Sequence, residues 1–276
     1  GGVSRHAFVS DGADMYVIGG QTNIRGVAEL TNKLLRYNVG LDQWTELADI
    51  PGDGLSNTTA VRLGKKIFLP GGFNGDTSNY SNKHWVYDIA TDFWQEAAPV
   101  PAALLPSAKM FAWSAGAAGP GETSYYLSGG ITSYPALDVD AVVLNNTYRY
   151  TPATNQWEAF QPMTAARYAH TSAWISLANR GLCVAGGLTS GEDDEGDPII
   201  VLLASGECYN PAAGGGWRQT GEMNFPRYNA GSAIGPDGRW YVFGGLDEAG
   251  GVPETEVYDP VTNSWQVLGG EFSLGG

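Results

Sequence analysis

The chain has 276 residues, of which 43% are hydrophobic, 12% aromatic and only 16% charged. Its 39 glycines and 15 prolines exclude a helical protein, and its aromatic content excludes a disordered one. Fifteen basic residues against 29 acidic ones give a net charge of −14, which excludes nucleic acid as a natural partner, and no apolar run approaches the ~18 residues of a membrane helix.

Read in chain order, one unit recurs five times. A Gly-Gly pair closes an apolar run at Tyr16-Val-Ile-Gly-Gly20, Phe68-Leu-Pro-Gly-Gly72, Tyr126-Leu-Ser-Gly-Gly130, Cys183-Val-Ala-Gly-Gly187 and Tyr241-Val-Phe-Gly-Gly245. Successive pairs are spaced by 52, 58, 57 and 58 residues. Each pair is followed by a Tyr and then a Trp: Tyr37 and Trp44, Tyr87 and Trp94, Tyr150 and Trp157, Tyr209 and Trp217, Tyr258 and Trp265. Before each pair, apolar residues alternate about a Gly-containing turn, the pattern of a β-hairpin. Between Tyr and Trp lie turn sequences such as Asp259-Pro-Val-Thr-Asn and Thr151-Pro-Ala-Thr-Asn. The unit therefore predicts four antiparallel strands, A to D, with Gly-Gly ending B, Tyr on C and Trp on D.

A Gly-Gly pair, then Tyr, then Trp, at about 50 residues per copy, resembles the kelch motif of β-propellers. That resemblance spans the chain and implies an all-β fold of four-stranded blades around a central channel. Five copies predict a closed ring of five blades in a single domain over 1–276, the repeats falling near 1–50, 51–102, 103–163, 164–222 and 223–276. The alternative is part of a six-bladed ring.

Strand alternation puts the B–C and D–A connections on one face. The B–C segments are the long ones: 21–31, 73–83, 131–146, 188–205 and 246–254. That face is the expected binding surface, with Tyr80 and Tyr134 as candidate aromatic contacts for a sugar or a protein. Aligning the D–A segments on the Gly pairs places cations at the channel mouth in four blades: Arg5, Lys109, Arg167 and Arg227, with Tyr168 and Tyr228 beside the last two. Such arginines can fork onto a ligand carboxylate; alternatively each pairs with an Asp or a backbone carbonyl of a neighbouring blade.

The kelch resemblance also raises enzymes. Copper radical oxidases similar to galactose oxidase need two His, two Tyr and a Tyr–Cys crosslink, whereas this chain has only His6, His84 and His170, and both its cysteines map to blade four. A sialic-acid mutarotase-like site would use a channel-mouth Arg with an acid/base carboxylate, but no acidic partner stands out. No catalytic residue or resident metal is assigned. The run Glu192-Asp193-Asp194-Glu195-Gly196-Asp197 is a weak calcium candidate.

Hairpin pairing of strands B and C in blade four sets Cys183 opposite Cys208, close enough for a disulfide; two buried free thiols are the alternative. The sequons at Asn57, Asn79 and Asn145, with a disulfide, point to an extracellular or cell-surface glycoprotein; the alternative is cytoplasmic. The expectation is a non-catalytic module that binds a protein or glycan through the B–C/D–A face, without nucleic acid and without membrane insertion. The alternative is a carbohydrate-active enzyme at the channel mouth.

Overall fold

The computed structural model describes residues 2–24, 27–74, 79–101, 114–132 and 142–269. Five four-stranded antiparallel sheets appear, one per repeat, each with its strands in the order A-B-C-D. In blade one these are Ala7–Ser10, Asp14–Ile18, Leu34–Asn38 and Gln43–Glu46. Blade two has Val61–Leu63, Lys66–Pro70, His84–Asp88 and Phe93–Glu96. Blade three has Ala115–Ala118, Tyr125–Ser128, Thr147–Thr151 and Gln156–Phe160. Blade four has Thr171–Ile175, Gly181–Ala185, Gly206–Tyr209 and Arg218–Gln219, and blade five Gly231–Ile234, Trp240–Phe243, Glu256–Asp259 and Ser264–Val267.

The repeated Tyr and Trp close the C–D turn of each blade. Tyr37, Tyr87, Tyr150 and Tyr258 donate their hydroxyls to the side chains of Asp42, Asp92, Asn155 and Asn263, five residues on. Those four acceptors all sit at positive φ, between 51° and 58°, a conformation that Asp and Asn tolerate best among non-glycine residues. In blade four the extra residue between Tyr209 and Trp217 is taken up by a 3₁₀ turn, Pro211–Ala213, capped by the Asn210 side chain and ended at Gly214.

The chain forms two compact units. The first, Gly1–Trp113 with Glu122–Tyr125 and Tyr150–Trp157, is centred on Tyr16, Ile18 and Leu34 of blade one packed against Ile67, Leu69, Tyr87 and Trp94 of blade two. The second, Ser114–Gly121, Tyr126–Arg149 and Glu158–Gly276, is centred on Ile175, Cys183 and Cys208 of blade four against Trp240, Val242 and Tyr258 of blade five. Blade contacts in both units join one face of a sheet to the opposite face of the next, the arrangement that large inward side chains on alternate strand positions dictate.

The Gly-Gly pair is explained by what crosses it. A Cβ on Gly129 would lie 2.3 Å from the Arg167 carbonyl oxygen, and one on Gly186 would lie 2.5 Å from that of Arg227. The following glycine donates its N–H to that same oxygen, Gly130 to Arg167 at 2.9 Å and Gly187 to Arg227 at 2.8 Å. In the first unit Gly19 and Gly20 receive the Leu55 carbonyl in the same way. These three pairs are thus the seats for the D–A segment of the next blade.

Candidate functional site

In blades one, two and four the B–C segments expected as loops are folded into β-hairpins where they are described, while that of blade five makes only the isolated bridge of Leu246 to Gly251. In blade one, Gln21–Ile24 pairs with Val27–Leu30, and the D–A residues Val3–Ser4 add as a third strand. In blade two, Phe73–Asn74 pairs with both Asn79–Tyr80 and the D–A residues Leu55–Ser56. Blade four extends Leu188–Glu192 and Pro198–Leu202, and Tyr168 bridges Leu188 through a reciprocal pair of backbone bonds. The B–C and D–A segments therefore form one surface per blade, sewn together by main-chain hydrogen bonds.

Arg167 and Arg227 lie at the base of this surface, and both are 1% exposed. The Arg167 guanidinium donates to the carbonyls of Gly186 and Ser205, both at 2.9 Å, which are the two ends of its own blade's B–C segment. It also pairs with Glu207 at 3.5 Å. Glu207 in turn accepts from the backbone N–H groups of Thr164 and Ala165 in the D–A segment. Blade five repeats the device: Arg227 donates to the Gly244 and Glu254 carbonyls and pairs with Glu256 at 2.9 Å, while Glu256 accepts from the Asn224 and Phe225 N–H groups. Burial pulls the Arg167 pKa down and the Glu207 charge opposes it. A buried ion pair this fully bonded clamps loop to loop.

This corrects the expectation for Arg167 and Arg227. They do not present guanidinium groups to a ligand at an open mouth, and their partners are acids of their own blade rather than of a neighbour. Arg5 is also misplaced by alignment on fixed distances from the Gly pair. Its φ of 55° matches Asn57, Ala169 and Asn229, two residues beyond the Arg167 position, and it is exposed. The residue of blade one equivalent to Arg167 is Val3, which pairs with Thr22 as Leu55 pairs with Asn74. Lys109 and Tyr134 lie outside the described residues. Tyr168 is buried, at 4% exposure, and Tyr228 is half-buried, joined to Leu246 as Tyr168 is to Leu188.

Of the sequons, Asn57 is 7% exposed at positive φ with its N–H bonded to the Arg5 carbonyl, so the folded chain has no room for a glycan there. This corrects the glycosylation expectation at Asn57. The Asn79 backbone lies in the blade-two hairpin. Asn145 donates its Nδ2 to the Met163 carbonyl at 3.1 Å, as Asn82 does to Val100, while Asn32 reaches Gly52, two residues beyond the equivalent Ile50.

Cys183 and Cys208 are directly opposed in the B–C ladder and joined as a disulfide. The three histidines take structural places. His84 donates Nδ1–H to the Ala98 carbonyl, so its Nε2 accepts from the Tyr125 hydroxyl at 2.9 Å, and burial lowers its pKa to about 4. His170 is hydrogen-bonded through Nε2 to Ser128 Oγ, and burial holds its pKa well below the usual value. His6 is lowered by burial as well. The acidic run of blade four is the exposed tip of its hairpin, turned by Asp193, whose Oδ1 accepts from the N–H groups of Glu195 and Asp197. Among the described residues, no three His, Cys, Asp or Glu side chains gather as metal ligands. A cavity of about 240 Å³ in the first unit, lined by Lys66, Gln95, Glu96 and Asn155 among others, is below the size range of small-molecule sites.

The Glu207 and Glu256 clamps escaped sequence reasoning, although a signal existed: Glu stands two residues before the strand-C Tyr in blades four and five alone, where Leu35, Trp85 and Tyr148 stand in the others.

The comparisons with known proteins agree with this geometry. The Attractin/LZTR1 beta-propeller family matches residues 3–212, and a Kelch motif matches residues 226–270. The human Kelch repeat and BTB domain-containing protein 12 is 26% identical over 263 residues, covering 92% of this chain and 32% of its own length. Beta-scruin of Limulus polyphemus is 25% identical over 270 residues, covering 96% of this chain and 28% of its own. The chain thus spans about a third or less of the length of these relatives. The solved structure of YjhT superposes with a TM-score of 0.77 at 16% identity, over 96% of this chain and 84% of that one, a likeness of fold. On the family match and the repeated Gly-Gly, Tyr and Trp positions together, the chain belongs to the attractin/LZTR1 β-propellers and is built of kelch repeats.

Proposed function

We propose that the chain is a non-catalytic recognition module that binds a protein partner through the hairpin surface formed by its B–C and D–A segments. One observation carries this reading. The two arginines best placed for ligand chemistry are consumed in buried clamps, Arg167 with Glu207 and Arg227 with Glu256, which hold the loop bases rigid while leaving hairpin edges and tips outward. Rigid loop bases carrying projecting hairpins suit recognition of an extended protein surface. The acidic tip at Asp194 and Glu195 favours a partner with basic side chains at the contact. The Cys183–Cys208 disulfide supports an extracellular or cell-surface setting.

The test is an array carrying secreted ectodomains and glycans, probed with the chain and with a variant bearing Asp194→Lys and Glu195→Lys. Those positions follow the turn residue Asp193 without replacing it. The expected result is a protein hit that the variant weakens about tenfold or more. Hits confined to glycans, or turnover of an offered sugar, would overturn the reading.

A further inference from the structure

A cavity of about 240 Å³ lies between blades two and three, and all of its lining belongs to the first unit. Its floor is Phe68, Val86 and Tyr150, each 2% exposed, with Pro152 beside them. Its rim is Lys66 at the start of strand B, Gln95 on strand D and Asn155 in the C–D turn of blade three. Glu96 stands on the Trp94 side of strand D, so alternation turns its carboxylate away from the floor.

The hollow exists because blade two carries small side chains where its neighbours carry large ones. The residue before the strand-C Tyr is Arg36 in blade one and Arg149 in blade three, but Val86 in blade two. Three positions after the strand-D Trp stand Leu47 in blade one and Phe160 in blade three, but Ala97 in blade two. In blade three the two large side chains fill the space together, the Arg149 guanidinium lying 5.0 Å over the Phe160 ring. Each of these arginines also has its acid: Asp14 for Arg36 and Glu158 for Arg149.

Blade two has neither acid, and has a base instead. Lys66 stands at the Asp14 place and Gln95 at the Glu158 place. Among the described residues the Lys66 ammonium has no ion-pair or hydrogen-bond partner. Asp88, opposite Lys66 in the ladder, accepts through Oδ1 from the N–H groups of Ala90 and Thr91. Asn155 accepts through Oδ1 from the Tyr150 hydroxyl and the Ala98 N–H, which leaves Nδ2 as a donor at the rim. The cavity thus sets an apolar, largely aromatic floor beneath three donors, one of them cationic.

We propose that this cavity binds an aryl group carrying a carboxylate. The ring seats on Phe68, Val86, Tyr150 and Pro152, and the carboxylate is held by Lys66 with Gln95 and Asn155 donating beside it. The ring takes the place that Phe160 fills in blade three, and the charge is opposite to the one Arg149 brings there. The volume of about 240 Å³ is short of a drug-sized site, yet an apolar cavity of ~150 Å³ already holds a benzene. That chemistry has two sources: a free arylalkanoic acid, or the C-terminal aromatic residue of a partner chain. The site lies at the outer edge between two blades and does not depend on the hairpin surface proposed above.

The test is titration of the 276-residue chain, followed by saturation-transfer NMR and calorimetry, with four probes. These are hydrocinnamate, its neutral amide, and a short peptide ending in Phe as the free acid and as the C-terminal amide. Both acids are expected to bind, and both amides to bind about tenfold more weakly or worse, because the bond between charged groups is lost. Lys66→Gln, at a half-exposed residue, should weaken the acids by the same factor. Val86→Arg with Gln95→Glu, which rebuilds the blade-three pair inside the cavity, should abolish binding of both acids while the thermal midpoint is kept; if that variant does not fold, Lys66→Gln decides. A peptide acid bound tighter than hydrocinnamate makes the ligand a chain terminus, and the reverse order makes it a free acid; both support the site. Amides that bind as well as the acids, or an unchanged affinity in Lys66→Gln, would overturn the proposal. So would no binding of either acid up to its solubility limit.

Discussion

Gly129 and Gly244 hold the same place in their repeats, φ +57° and +61°, but only Gly129 has a carbonyl oxygen within 2.3 Å of where a Cβ would be. Both substitutions to Ala bear the strain of a left-handed residue, about 1 kcal/mol. Gly129→Ala must also displace the Arg167 carbonyl. It should cost at least ~2 kcal/mol more than Gly244→Ala in urea unfolding. The clamps give a second contrast. Glu207→Ala strands a buried guanidinium and two backbone N–H groups and should cost about 3–5 kcal/mol, while Glu207→Gln, which keeps an acceptor for one of those N–H groups, should cost less. At this scale the sequence was only partly legible. Gly, Tyr and Trp announce themselves by recurrence, but a buried ion pair depends on register across a loop of variable length. Counting from the Gly pair therefore put Arg5 level with Arg167, when the backbone puts it level with Ala169.

Among the elements, strand pairing was the readable part. Alternating apolar residues fix which side of a strand faces the core, and hairpin register alone sets Cys183 opposite Cys208, as the ladder has them. Reduction of that bridge reopens a segment of 25 residues, and on loop-entropy grounds it should lower the stability of the second unit by roughly 3 kcal/mol, measured by urea unfolding with and without reductant. The B–C hairpins were not readable as strands. Runs such as Pro198–Leu202 lack alternation, and Phe73–Asn74 is two residues long, so their strand character comes from main-chain pairing, with Leu188–Glu192 in the first case and with the D–A segment in the second, rather than from a pattern of their own.

Across the whole molecule, acid is the sensitive axis. Burial holds His84, His170 and His6 neutral, with His84 lowered from 6.5 to about 4. An unfolded histidine binds its proton near pH 6.5 while the folded one still resists. The stabilisation is therefore complete above pH 6.5 and is lost as the pH falls through about 4. For His84 alone the full loss is roughly 3 kcal/mol. Thermal unfolding should show a midpoint that falls from pH 7 to pH 4, and His84→Gln should flatten that slope while lowering the midpoint at pH 7. The fold class was legible because five copies of one signature outweigh any single propensity. What the copies do differently was hidden, since it lies in residues that occur in one or two blades.

The glycine seats also set a schedule for biosynthesis. Gly20 waits for the carbonyl of Leu55, Gly130 for Arg167 and Gly187 for Arg227, so these three sheets leave the ribosome with the end of strand B uncovered until some 35 to 40 further residues have emerged. At about 5–20 residues per second that is a delay of a few seconds per blade. During each delay the nascent chain exposes that uncovered seat to whatever chaperone attends it.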